Sequence, residues 1–179
     1  MPKPREAVPE DAAEIVHLGA LMYKAVGAKP TPSWALESTK LVKERLGKDL
    51  IGFVIDAPEG GLAACGLVNI VPRLPRPGRR SRLAAYVQWV STAPQHHRKG
   101  YARSVMDAIL AETDRRGIEV VELHATPAGR HLYETLGFFE KTDNVALMAL
   151  RGEAAKERPL SPPPERQREQ APKRRLRRR

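Results

Sequence analysis

Hydrophobic positions change period twice along this chain. Ile15, Leu18, Leu21 and Met22 recur at the spacing of one helical face, opened by Pro9-Glu10-Asp11 and closed by Gly27, which suits a helix with Pro at its start and Gly past its end. Lys3 to Ala7 predict a short edge strand before it. A second helix is expected between Ser33 and Leu46, with Leu36, Leu41, Val42 and Leu46 turned inward. The period then becomes two. Leu50 to Ile55 and Leu62 to Val71 are β-rich runs separated by Ala57-Pro58-Glu59-Gly60-Gly61, which reads as a hairpin, and a third run spans Leu83 to Thr92. Helical spacing returns at Ala102, Val105, Met106, Ile109, Leu110 and Thr113, stopped by Arg115-Arg116-Gly117. A strand at Val120 to Ala125, a short helix from Ala128 to Leu136 stopped by Gly137, and a last strand at Val145 to Leu150 complete the pattern. Strand, helix and strand make a parallel crossover, while the hairpin is antiparallel. The expected fold is therefore α/β, with a mixed, mostly antiparallel central sheet flanked by helices.

Patterning stops at Arg151. Residues 151–179 contain only Leu160 and Leu176 as large aliphatic residues among charges and prolines, too little apolar area to offset ordering, so a disordered basic tail is expected after a domain of residues 1–150. The tail also holds +7 of the formal charge of +10, leaving +3 for the domain. The folded part is only mildly basic. The end Lys-Arg-Arg-Leu-Arg-Arg-Arg can make weak, non-specific nucleic-acid contact or serve as a solubilising tail. The loop from Pro72 to Arg82, with three prolines and five arginines, is expected on the surface. Cys65 is the one cysteine, which excludes an intrachain disulfide and fits a core residue in a reducing compartment. No apolar signal region opens the chain and no run of eighteen apolar residues occurs, so a cytoplasmic protein without membrane insertion is expected.

One local violation stands out against this frame. A helix N-terminus carries about half a positive charge and favours acidic residues and Ser, Thr, Asp or Asn caps. Here the third strand leads through Pro94-Gln95-His96-His97-Arg98-Lys99-Gly100 into a helix whose first turn adds Arg103, with no capping side chain. The first N–H groups of that helix lack an evident partner. A phosphate or diphosphate would satisfy them and the cations together, and a solvated basic turn is the plainer alternative.

The segments P-Q-H-H-R-K-G-Y-A-R-S-V-M and L-H-A-T-P-A-G-R-H-L-Y-E-T-L-G-F, about twenty residues apart, resemble the GNAT superfamily of acyl-CoA-dependent N-acetyltransferases, as does the opening R-E-A-V-P-E-D-A-A-E-I-V-H-L. The resemblance covers nearly the whole domain and implies a GNAT-like fold. It implies that backbone N–H groups across His97, Arg98, Lys99, Gly100, Tyr101, Ala102 and Arg103 hold the coenzyme A diphosphate. His97 stands where the family carries Arg or Gln. It also implies that Val90, Ser91 and Thr92 present their backbone to the pantetheine arm and thioester, and that Tyr133 protonates the departing thiolate. A phenol near pKa 10 and a thiol near 8.5 are close enough for that transfer. No carboxylate occupies the strand from Leu83 to Thr92, where many relatives carry the general base. Tyr86 and Gln88 stand at the candidate positions, and a water chain, Glu134, His124 or a residue of the first two helices could serve instead. His124 and His131 can equally be structural, and Trp34 or Trp89 can line an acceptor pocket or fill the core.

The function so implied is transfer of an acetyl group from acetyl-CoA, as co-substrate and without a metal, to a primary amine of a small-molecule or peptide acceptor, by direct attack in a ternary complex. A homodimer is compatible with it. The alternative is a non-catalytic acyl-CoA sensor or adaptor whose basic tail engages nucleic acid.

Overall fold

Alternation of side chains between two packed surfaces builds the centre of the molecule. Along β2 (Leu50–Asp56), Leu50 and Val54 join one buried cluster while Ile51 and Ile55 join another on the opposite face. The strand reads as a nearly continuous apolar run because both faces are covered. The computed structural model describes residues 3–74, 78 and 81–140. These lie almost wholly within one unit, Met1–Phe139. The expected strand at 145–150 and the expected tail at 151–179 lie outside the described residues.

The sheet runs β1 (Arg5–Glu6), β2, β3 (Leu62–Pro72), β4 (Leu83–Thr92), β5 (Val121–Leu123), in that spatial order. Every neighbouring pair is antiparallel except β4 and β5, which are parallel. The mixed sheet with an antiparallel first half is thus as expected. Two helices, α1 (Ala12–Ala25) and α2 (Pro32–Arg45), cover one face, where Ile15, Leu18, Val54, Cys65 and Leu67 form the core. On the other face α3 (Tyr101–Arg115) buries Val105, Met106 and Ile109 against Ile51, Ile55, Val68 and Val87. α3 can approach so closely because residue 66 has no side chain: a Cβ there would sit 2.6 Å from Val105 Cγ1. A last helix, α4 (Pro127–Thr135), follows β5.

The helix starts are chemically distinct. Thr31 Oγ1 accepts the Trp34 N–H at 3.2 Å with Pro32 as the first residue of α2, and Thr126 Oγ1 accepts the Gly129 N–H at 3.2 Å with Pro127 first in α4. Both follow the expected chemistry of a side-chain cap and a proline whose missing N–H costs nothing. Asp11, before α1, accepts the Val8 N–H at 2.8 Å and pairs with Arg5 at 2.8 Å, which holds its carboxyl below the usual range. α3 alone among these four starts on a left-handed residue, Gly100 at φ +78°, and like α1 it has no side-chain cap.

One expectation fails on α2. Leu36 is 74% exposed and Leu41 52% exposed; the residues that face inward are Ala35 and Val42, with Trp34 at the margin and Leu46 just beyond the helix. Positions 35 and 42, seven apart, share a stripe, whereas 36 lies about 100° round the helix from 35. The stripe that packs carries Ala35 and Val42, and the leucines at 36 and 41 lie outside it.

Candidate active site

The site begins at a fault in the sheet. Cys65 pairs with Ser91 and Leu67 with Gln88, so Trp89 and Val90 together stand opposite Gly66 and form a bulge in β4. Trp89 takes φ +53°, a conformation uncommon for a residue with a Cβ, and its carbonyl accepts the Cys65 thiol at 3.4 Å. Cys65 is fully buried and its pKa is pushed up to about 12, because burial disfavours the thiolate; it is a packing residue. The bulge sends Trp89 toward α1 and α2, where its ring meets Tyr23 and Trp34 at centroid distances of 6.0 and 5.8 Å, and Val90 toward α3. Ser91 donates to the Leu18 carbonyl at 2.8 Å and pins α1 to the strand.

Beyond this fault β4 loses its neighbour. Pairing with β5 covers only Ala85, Tyr86 and Val87, against Val121, Glu122 and Leu123, while β4 continues to Thr92. Residues 88–92 therefore leave an open edge on that side, among the described residues. Val90, Ser91 and Thr92 lie on this stretch. Thr92 Oγ1 is a buried oxygen with no hydrogen-bond partner among the described residues, an uncommon state for a buried hydroxyl.

From Thr92 the chain passes through a single 3₁₀ turn, Pro94–His96, and a loop to Gly100. Arg98 and Gly100 are both left-handed, with φ of +63° and +78°. Among the described residues no hydrogen bond is accepted from the backbone N–H groups of Arg98, Lys99, Gly100, Tyr101, Ala102 or Arg103; the first satisfied one is Ser104, which donates to the Gly100 carbonyl at 3.0 Å. His97 is exposed and its Nε2 donates to the Thr92 carbonyl at 2.9 Å. A neutral His97 then offers only an acceptor at Nδ1, so it can donate to an anion only when protonated. Arg103 reaches across to α4, 3.1 Å from Thr135 Oγ1.

Tyr133, on α4, packs edge-on against Phe138 at 5.9 Å and beneath Gly129, and its partial burial raises the phenol pKa. Its hydroxyl makes no hydrogen bond among the described residues. On the α1 and α2 face of the sheet, Asn69, Tyr86 and Glu122 occupy one row across β3, β4 and β5. Tyr86 Oη lies 2.6 Å from His124 Nδ1, just past the end of β5, where the two strands part. Burial, and secondarily Tyr23, raise the Tyr86 pKa. Two residues that the sequence offered as separate candidates are one hydrogen-bonded pair. Gln88 lies on the same face without joining it, and Glu134 and His131 are exposed on α4. Among the described residues no three His, Cys, Asp or Glu side chains gather as a metal site, and no helix is long and apolar enough to cross a membrane.

Sequence reasoning missed His96. It is 3% exposed, 2.7 Å from Glu59 Oε1 and 3.3 Å from Lys99 Nζ, with its ring stacked on Tyr101. The adjacent histidine, His97, fell on a recognisable motif position, and Glu59 is 37 residues away in the hairpin turn, so no local spacing marked the contact.

The family model described as acetyltransferase (GNAT) domain matches residues 5–140. A predicted acetyltransferase from Clostridium acetobutylicum, in a crystal structure with acetyl-CoA, superposes with a TM-score of 0.72 at 20% identity, over 83% of this chain and 96% of that one. A GCN5-related N-acetyltransferase from Ralstonia eutropha gives 0.67 at 21%, over 82% and 97%. Glucosamine-6-phosphate N-acetyltransferase from Arabidopsis thaliana gives 0.62 at 19%, over 83% and 98%. These structures share the fold. A search of curated proteins finds no match.

Proposed function

The chain belongs to the GNAT family of acetyltransferases, and from that premise we propose that it transfers the acetyl group of acetyl-CoA to a primary amine by direct attack in a ternary complex. The observation that carries the reading is the run of unpartnered N–H groups from Arg98 to Arg103, at an uncapped basic helix start directly after an open strand edge. The backbone there suits a diphosphate. Acetyl-CoA is also the molecule in the Clostridium structure.

In this reading the thioester lies along Val90, Ser91 and Thr92, where a backbone N–H can hydrogen-bond the carbonyl oxygen as charge develops on it, an effect commonly worth about 3 kcal/mol. The amine nitrogen attacks the carbonyl carbon and forms the C–N bond. Its surplus proton passes to Tyr86 Oη as the Tyr86 proton moves to His124 Nδ1, so no free phenolate is required. The 2.6 Å contact supports this relay. The C–S bond breaks and the leaving sulfur takes the proton of Tyr133. Burial keeps that phenol protonated until a basic thiolate appears beside it. Coenzyme A and an acetamide are the products.

The test is a thiol-release screen with acetyl-CoA against spermidine, kanamycin, glucosamine 6-phosphate and an unblocked tetrapeptide. Acceptor-dependent release is expected with at least one amine class. Absence of both release and acetyl-CoA binding would contradict the reading.

A further inference from the structure

We propose that Glu59, His96 and Lys99 act together as a positioning device for the coenzyme loop, an inference that rests on the acetyl-CoA reading above. Three elements converge on one imidazole. Glu59 belongs to the turn between β2 and β3, Lys99 to the loop, and Tyr101 is the first residue of α3; His96, 3% exposed, touches all three. Its tautomer follows from the partners. A lysine ammonium can only donate, so Nδ1, 3.3 Å from Lys99 Nζ, accepts, and Nε2–H donates to the Glu59 carboxylate at 2.7 Å. Both ring nitrogens are used.

The backbone explains what this arrangement does. Arg98 and Gly100, the residues flanking Lys99, are both left-handed, and a left-handed residue with a Cβ persists only where its surroundings over-determine it. The bond to Lys99 and the stack on Tyr101 fasten the chain after each of these two residues to the same buried ring. The N–H groups of residues 98–103 are thereby oriented before a ligand arrives, which removes an ordering cost from binding. His96 itself need not touch the coenzyme. Its tie to Glu59 links the ring to the turn of the β2–β3 hairpin, so the loop is referenced to the sheet and not only to α3.

The experiment compares full-length wild type, Glu59→Gln, His96→Phe and His96→Gln by calorimetric titration with coenzyme A and by steady-state kinetics with acetyl-CoA. Phe keeps the stack on Tyr101 and loses both hydrogen bonds; Gln can restore the donor to Glu59. Loss of a hydrogen bond to a charged group predicts Kd for coenzyme A raised about tenfold in His96→Phe and about threefold in Glu59→Gln. His96→Gln should fall between wild type and His96→Phe. KM for acetyl-CoA should follow Kd while kcat at saturation stays within about twofold. Unchanged Kd in Glu59→Gln and His96→Phe overturns the proposal, as does a fall in kcat with KM unmoved. Should His96→Phe fail to fold, Glu59→Gln, an exposed turn residue, decides alone. Wild-type protein that does not bind coenzyme A marks the failure of the parent reading, a result distinct from equal binding by all four proteins.

Discussion

The two faces of the one sheet are built to different rules. Toward α3, Ile51, Ile55, Val68, Val105, Met106 and Ile109 are at most 2% exposed and purely apolar. Toward α1 and α2 the apolar core gives way, near β5, to Asn69, Tyr86, Gln88, Trp89, Glu122 and His124, half-buried or exposed, with Tyr86 bonded to His124, Asn69 to Arg45 and Trp89 to Tyr23. The first face makes the strands rigid; the second puts polar groups where β4 and β5 part. Core stability should therefore rest on the first face and removal of the amine proton on the second, while Tyr133 packs at the margin of the first.

Variants can break that separation. The largest effect on stability is expected at Ile109→Ala, which leaves a cavity under β3 and should cost about 3 kcal/mol, measured by denaturant unfolding. If the molecule remains folded, its pH–rate profile should match wild type. Tyr133→Phe should lower kcat about 10³-fold with acetyl-CoA affinity unchanged. Unchanged turnover would assign Tyr133 to packing against Phe138. His124→Gln should lower kcat/KM about 10²-fold at neutral pH, with recovery at high pH where hydroxide can take the surplus proton of the adduct. A uniform loss at all pH values would remove His124 from the proton path. Smallest of all, Leu36→Ser on exposed α2 should change stability by no more than about 0.5 kcal/mol. A larger loss would mean that this leucine is covered in solution.

The same division explains what could be read in advance. The five described strands, the α3 period and the anomalous helix start between Pro94 and Arg103 were legible because each depends on neighbours within a few residues. Its missing cap was visible from side-chain chemistry alone, before the contrast with Thr31 and Thr126 was known. The face of α2 was not, because a helix with leucines at 36 and 41 and an alanine at 35 offers two apolar stripes, and the choice between them is made by packing against Trp34 and the sheet. The Tyr86 and His124 pair spans 38 residues, and the His96 and Glu59 pair spans 37. Such contacts exist only once the strand register is set, and no period in the sequence encodes them.

The central claim is that the uncapped start of α3 holds the diphosphate of acetyl-CoA. Calorimetric titration of wild type and Gly100→Glu with acetyl-CoA tests it most directly, because Gly100 is left-handed and a glutamate there would add strain and negative charge at the first unpartnered N–H groups. Saturable one-to-one binding by wild type and none by Gly100→Glu is the predicted result. Equal binding by both proteins, or none by wild type, would contradict it.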